Sequence, residues 1–263
     1  MTRRPTDQMV EPVSVSVLGD GIVELTIVRP SKRNALDAAT WVALTDALSE
    51  LRQTYKVRCL ILTGAGSTFA SGGDLTSFLA EVSEDRGPER FRQRIRSCLD
   101  EIAAFPAPTI AKVNGPAIGG GLELMSACDI AIAAESATFA MPAAMFGIVM
   151  SRIELVRMAS AIGVGNTRYV TMTGNTLDAE TALRMGLIHE VVRDAKLRDR
   201  VAQVAQTVAR ADPDAILWLR ESLTDMFSSA SQDRTDLAQF ELSCLKSSSF
   251  RRRVTSFLGA HGG

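Results

Sequence analysis

The sequence predicts an α/β fold: short apolar runs that suit buried strands alternate with longer amphipathic stretches that suit helices, and glycine-rich bends join the two. The chain's 263 residues, 46% of them apolar and 22% charged, have the make-up of a globular domain with a large core. Near the start, Val13, Val15 and Val17 alternate with polar residues, Gly19-Asp20-Gly21 interrupts, and Val23, Leu25 and Ile27 resume the alternation. A period of two on both sides of a tight turn predicts a hairpin. Residues 38–52 bring Trp41, Leu44, Leu48 and Leu51 to one helical face. The run 59–62 is too short for a helix and ends at Thr63-Gly64, so it reads as a buried strand. A loop through Gly72-Gly73-Asp74 leads to a charge-rich helix around 86–104, and after Pro106 and Pro108 comes another apolar run, 109–113. The cycle repeats with a loop over 114–121, a helix over about 120–128 and a strand over 129–133. From about Ile153 helical patterns follow one another over 153–162, 178–185, 196–210, 213–227, 233–246 and 251–258. The organisation expected is one domain, with a core over 1–195 that begins in a flexible stretch, 1–12, and a helical region over 196–263. Several of the late helices carry apolar faces that packing on a neighbouring subunit would bury.

Charge and composition exclude several functions. The formal charge of −1 gives no global field to draw in nucleic acid or an anionic membrane surface, so an anionic ligand has to be held locally. The longest stretch free of charged residues, 136–151, is too short to span a bilayer and contains Pro142. Arg3 and Arg4 have no apolar segment behind them, so no secretory signal is read and a cytoplasmic location is expected. Cys59, Cys98, Cys128 and Cys244 lie far apart, with only His189 and His261 to join them. That spacing predicts no metal site and reduced thiols that fill the core, a Cys/His nucleophile being the lesser alternative.

Two glycine clusters carry the chemical interest: Ser71-Gly72-Gly73-Asp74 after a strand and loop, and Gly119-Gly120-Gly121 ahead of a helix. Glycine lets a ligand approach the backbone NH closely and tolerates unusual dihedral angles. At the second cluster the helix that follows adds its unsatisfied NH groups and positive end. Two readings stay open on the glycines alone, an oxyanion site and a pair of tight turns. Neither cluster forms a dinucleotide-binding GxGxxG.

The neighbours of those glycines resemble a known family. The string Asn114-Gly115-Pro116-Ala117-Ile118-Gly119-Gly120-Gly121-Leu122-Glu123-Leu124, followed by Cys128-Asp129, is similar to a signature of the crotonase superfamily, the enoyl-CoA hydratase/isomerase fold. Arg29-Pro30, Asn34-Ala35-Leu36, Leu62-Thr63-Gly64, Phe69-Ala70-Ser71-Gly72-Gly73-Asp74-Leu75, Thr173-Gly174 and Gly186-Leu187-Ile188 resemble its other landmarks in the same order. The likeness runs from about residue 13 to about residue 257. It implies a crotonase-like spiral of ββα units with a helical C-terminal trimerisation region, and a homotrimer or dimer of trimers. It implies an acyl-CoA substrate, coenzyme A entering as part of that substrate with no separate cofactor. By the same resemblance the thioester oxygen sits between the NH groups of Gly73 and Gly120. Lys32, Arg33, Ala70, Asp74 and Leu75 are the candidates for holding coenzyme A, and Arg251-Arg252-Arg253 is either a further phosphate contact or a solvated helix face.

Family hydratases carry two glutamates, one just after the triple glycine and one twenty positions later behind a proline. Glu123 matches the first, and Ala143, behind Pro142, stands at the second. A methyl group neither accepts nor delivers a proton, so Glu123 acts alone or another group substitutes, Ser151 and Glu154 being at hand. Arg152 and Glu154 could equally pair at the surface. The expected reaction is reversible hydration of a 2-enoyl-CoA with Glu123 as the single acid/base. The alternatives are an isomerase or other enolate chemistry on a CoA thioester, such as decarboxylation or thioester hydrolysis, and a non-catalytic acyl-CoA-binding homologue. Met141, Met145, Phe146, Ile148 and Met150 either line an acyl pocket or fill the core.

Overall fold

The computed structural model describes residues 8–10, 12–54, 56–228, 242–243 and 245–261. The hairpin forms as its alternation demands: β2 (Val13–Gly19) pairs antiparallel with β3 (Ile22–Ile27). Asp20 and Gly21 bridge them with φ of 52° and 75°, the left-handed pair that suits a two-residue turn between twisted strands. The fully buried runs β4 (Cys59–Gly64), β5 (Thr109–Val113) and β7 (Ile130–Ala134) add in parallel beside β3. Parallel pairing needs crossovers, and these contain α1 (Ala38–Thr54), then α2 (Leu75–Glu81) and α3 (Gly87–Ala103), then α4 (Gly120–Ser126).

The structure departs from the sequence reading at both ends. Within 1–12, expected to be flexible, Gln8–Val10 forms β1 along the edge of β2. In the stretch expected to be helical, β10 (Glu190–Val192) joins the main sheet parallel to β7, giving seven strands in the order β1-β2-β3-β4-β5-β7-β10. A second sheet of three short strands also escaped the periodicity: β6 (Ala117–Ile118), β8 (Thr138–Ala140) and β9 (Leu177–Asp178). Two or three residues are too few to display a period.

Among the described residues, further α-helices follow β8. The first five are α5 (Ala143–Phe146), α6 (Arg152–Thr173), α7 (Ala179–Met185), α8 (Leu197–Arg210) and α9 (Pro213–Ser228). The helix expected over 153–162 thus runs on to Thr173, past a break at Gly163, whose φ of 74° is open to glycine. The helix expected over 233–246 falls mostly outside the described residues, and α10 (Ser248–His261) closes the chain. Among the described residues no helix is long and apolar enough to cross a membrane.

The main core gathers α1 and α3 around one face of the sheet, with Trp41, Leu44, Leu48, Leu99 and Ile102 against Leu25, Ile27, Leu60 and Leu62. On the other face α8 lays Leu197, Val201, Ala205 and Ala209 over Ile22, Cys59, Ile61 and Ile132. A smaller cluster ties α10 to α2 through Phe78, Val82, Phe250 and Val254.

One polar side chain holds the loops around the site. Asn34, fully buried, donates through Nδ2 to the carbonyls of Ala65 (2.9 Å) and Thr68 (2.6 Å), while its Oδ1 accepts from the amide of Arg29 (3.0 Å). Asn34→Ala orphans all three groups. It is expected to lower stability by about 2–3 kcal/mol, read as a shifted denaturation midpoint at unchanged slope.

Candidate active site

The two glycine clusters meet because the loops that carry them are hydrogen-bonded to each other and to the loop before α1. Ala70 donates to the Pro116 carbonyl (3.0 Å) and accepts from the Ile118 amide (2.9 Å), which lays the first cluster along β6. Leu36 donates to the Gly72 carbonyl (2.8 Å) and accepts from the Asp74 amide (3.0 Å). This single parallel bridge takes up the groups on both sides of Gly73 and turns Gly73's own NH to the opposite side. Gly72, at φ 103°, makes the bend that permits it.

At the second cluster, Gly119 adopts φ 51° and ψ −117° and its amide donates to the Ala140 carbonyl (2.9 Å). Gly120 is then the first residue of α4, where an NH has no acceptor within the helix. Space for a side chain there is tight: a Cβ on Gly120 would lie 3.0 Å from Trp41 Cζ2 and 3.2 Å from Leu36 Cδ1, both of which would have to give by a few tenths of an ångström. On Gly121 it would lie 2.3 Å from the Ala70 carbonyl oxygen.

Gly73, Gly120 and Glu123 all line one cavity of about 480 Å3. Glu123 sits in the first turn of α4, its amide bonded to the Gly119 carbonyl at 3.0 Å. Burial first, and then the charge of Glu154, push the Glu123 carboxyl well above the ordinary carboxylate range. A second glutamate, Glu154, lines the same cavity. Glu154 reaches it from the first turn of α6, where Ser151 caps the helix. The Ser151 amide donates to Glu154 Oε2 (2.7 Å), and the Glu154 amide donates to Ser151 Oγ (3.3 Å). Burial raises the Glu154 carboxyl as well, opposed by those Ser151 hydrogen bonds and by Arg157 and Arg92. Ala143, at the start of α5, presents its methyl group to the same cavity.

The other expected contacts divide. Lys32 and Arg33 are exposed and line the cavity, following a short 3-10 turn, Pro30–Lys32. Asp74 lines it too, accepts from the Ser77 amide (3.3 Å) as the cap of α2, and pairs with Arg29 (3.3 Å), which also pairs with Asp37 (2.8 Å). Leu75 opens α2 on the same wall, and Ser151 lies on the far side. Ala70 is not among the lining residues: it is fully buried behind the wall, its amide and carbonyl committed to Pro116 and Ile118. Of the five apolar candidates, Met141, Phe146, Ile148 and Met150 line the cavity, whereas Met145 is exposed outside it. Arg251, Arg252 and Arg253 are exposed on α10 away from the lining.

Sequence reasoning missed Arg92 and the aromatic wall of Phe78, Phe91 and Phe257. Arg92 is one of five arginines over 86–96, and no spacing marks which of them turns inward. Cys59 and Cys98 are buried and Cys128 is partly buried, while Cys244 lies outside the described residues. Burial pushes Cys59 and Cys98 up to about 12 and raises Cys128 too, which disfavours the thiolate at each of these three. His189 is exposed and away from the cavity, its Nδ1 accepting from the Ala131 amide (3.0 Å).

The geometry has counterparts among known proteins. The family model for enoyl-CoA hydratase/isomerase matches residues 18–259. A hydroxycinnamoyl-CoA hydratase-lyase of Pseudomonas fluorescens is 35% identical over 199 residues, 74% of this chain and 71% of that protein. A carnitinyl-CoA dehydratase of Salmonella paratyphi A is 37% identical over 203 residues, 76% of each. The crystal structure of an enoyl-CoA hydratase/carnithine racemase from Magnetospirillum magneticum superposes with a TM-score of 0.80 at 27% identity, covering 96% of this chain and 94% of that one. With a family match spanning nearly the whole sequence, the chain belongs to the enoyl-CoA hydratase/isomerase family of the crotonase superfamily.

Proposed function

We propose that the protein catalyses the reversible hydration of a 2-enoyl-CoA. In this reading the thioester oxygen lies between the NH groups of Gly73 and Gly120, and Glu123 is an acid/base. The observation that carries it is that one cavity is lined by Gly73 and Gly120, whose amides have no backbone acceptor among the described residues, and by Glu123, a buried carboxyl with a raised pKa. Donors aimed at an oxygen stabilise it most when it carries charge, so they favour the enolate over the neutral thioester. A carboxyl whose pKa is lifted by burial is matched to moving protons near neutral pH. The names of the two protein relatives, a hydratase-lyase and a dehydratase, both describe water added or removed.

Coenzyme A enters as part of the substrate, its phosphates held by Lys32 and Arg33 at the exposed rim and its remaining polar groups by the backbone near Asp74 and Leu75. The bare Leu219 and Leu223 of α9, with Trp218 beside them, support assembly as a homotrimer or dimer of trimers. The three cysteines among the described residues are free, which fits a cytoplasmic setting. A second reading, double-bond isomerisation, is favoured by one observation: the methyl of Ala143 occupies the place where a hydratase of this family carries its second glutamate, and isomerisation needs a single base.

The test is to incubate the purified protein with a short 2-enoyl-CoA and follow the conjugated thioester absorbance. Loss of absorbance with formation of the 3-hydroxyacyl-CoA is the expected result. Conversion of a 3-enoyl-CoA to the 2-enoyl isomer, with no hydration, would select the second reading.

A further inference from the structure

We propose that Glu154, presented by the first turn of α6, is the second carboxylate of the hydration site and takes over the role left vacant by Ala143. The assignment rests on the hydratase reading above. Three features of the structure support it. Glu154 lines the same cavity as Glu123, Gly73 and Gly120. Its side chain is held in one orientation, because Oε2 accepts from the Ser151 amide at 2.7 Å while Ser151 Oγ accepts from the Glu154 amide at 3.3 Å. A reciprocal cap of this kind fixes the start of α6 and the rotamer together. The proposal gives proton transfer to the other oxygen, Oε1. Finally, Glu123 and Glu154 act on each other's ionisation, as two carboxyls sharing a low-dielectric space do.

The surroundings of the two groups differ. Burial raises Glu154, opposed by hydrogen bonds from Ser151 and by Arg157 of its own helix and Arg92 of α3. Arg157 is itself paired with Asp100 of α3 at 2.8 Å. From α5 come the apolar Ala143 and Phe146, and from α4 comes Glu123, for which burial and the Glu154 charge both favour the neutral form. Only Glu154 has cations and hydrogen bonds opposing its burial, so in the proposed mechanism the resting pair is Glu154 carboxylate and Glu123 carboxylic acid.

Hydration then balances. The water oxygen bonds to C3 of the enoyl group as one of its protons passes to Glu154 Oε1, and the C2–C3 π electrons move onto the thioester oxygen. The enolate collapses as Glu123 gives its proton to C2. The pair ends with its proton on Glu154, and transfer back to Glu123 restores the starting state.

Glu154→Gln separates this role from a structural one, because glutamine also closes the cap at that helix position. With a 2-enoyl-CoA that the wild-type protein hydrates, Glu154→Gln is expected to lower kcat by about 100-fold or more while KM and the melting temperature change little. The wild-type kcat is expected to follow a bell in pH, falling at low pH when both carboxyls are protonated and at high pH when both are ionised. In Glu154→Gln one limb of that bell disappears. A second measurement needs no turnover: in protein labelled with 13C at the glutamate carboxyls, the Glu123 signal should titrate at lower pH in Glu154→Gln than in wild type. Wild-type kcat with an intact bell in Glu154→Gln, or an unmoved Glu123 titration, overturns the assignment and leaves the hydratase reading standing on Glu123. A wild-type protein that hydrates no 2-enoyl-CoA overturns both.

Discussion

Replacing Glu123 by glutamine is expected to lower kcat for 2-enoyl-CoA hydration by about 10²- to 10⁴-fold, the usual contribution of a positioned acid/base, or roughly 3–5 kcal/mol of barrier. The amide is nearly the same size and keeps the first turn of α4 filled, so the substrate still binds and the loss falls on kcat. The same substitution is expected to stabilise the fold. Burial and the Glu154 charge raise the Glu123 pKa above its unfolded value, so the folded protein binds more protons than the unfolded chain. For such a group the favourable contribution is fully present below the unfolded pKa, about 4.3, and is lost as pH rises through the folded pKa. Glutamine removes that loss. The melting temperature of Glu123→Gln should exceed that of wild type at pH 8, with the gap closing towards pH 4. A variant that keeps wild-type turnover would remove Glu123 from the mechanism, and one less stable than wild type at pH 8 would contradict its burial as a charged group.

The second large effect is expected at Gly120. Proline is tolerated at the first position of a helix, where its missing NH has no intrahelical acceptor to lose, and Gly120 is the first residue of α4. Gly120→Pro therefore deletes one donor to the thioester oxygen while the helix can persist. Its added Cβ presses on Trp41 Cζ2 and Leu36 Cδ1, which would lie 3.0 Å and 3.2 Å away, and Gly120→Ala carries the same Cβ with the NH retained. Comparing the two variants isolates the donor. Gly120→Pro is expected to fall below Gly120→Ala by about 10²- to 10³-fold in kcat, the typical cost of losing one oxyanion donor. Equal activity in the two variants would mean that the Gly120 NH does not touch the developing charge.

What could be read from the sequence followed from how much of the physics is local. The hairpin at Asp20-Gly21 and the buried runs β4, β5 and β7 declare themselves through period, length and punctuation. The strands β6, β8, β9 and β10 did not, because each is two or three residues long and exists through its neighbour: Glu190–Val192 is a strand because β7 lies beside it. Of the two readings of the glycines, the tight bends are seen in the positive φ of Gly72 and Gly119, and the oxyanion site is the proposed function built on those bends. Glu123 was legible from its place after the triple glycine. Glu154 stood as one alternative among several, because whether the first turn of α6 faces the cavity or solvent depends on how α6 packs against the rest of the chain. Ala70, expected at the substrate, lies behind the wall because its amide and carbonyl join the two glycine loops instead.

A crystal structure with a bound acyl-CoA tests the central claim most directly. The account predicts the thioester oxygen at about 2.7–3.1 Å from the amide nitrogens of both Gly73 and Gly120. A thioester oxygen out of reach of either amide, with the acyl group in the same cavity, would contradict it.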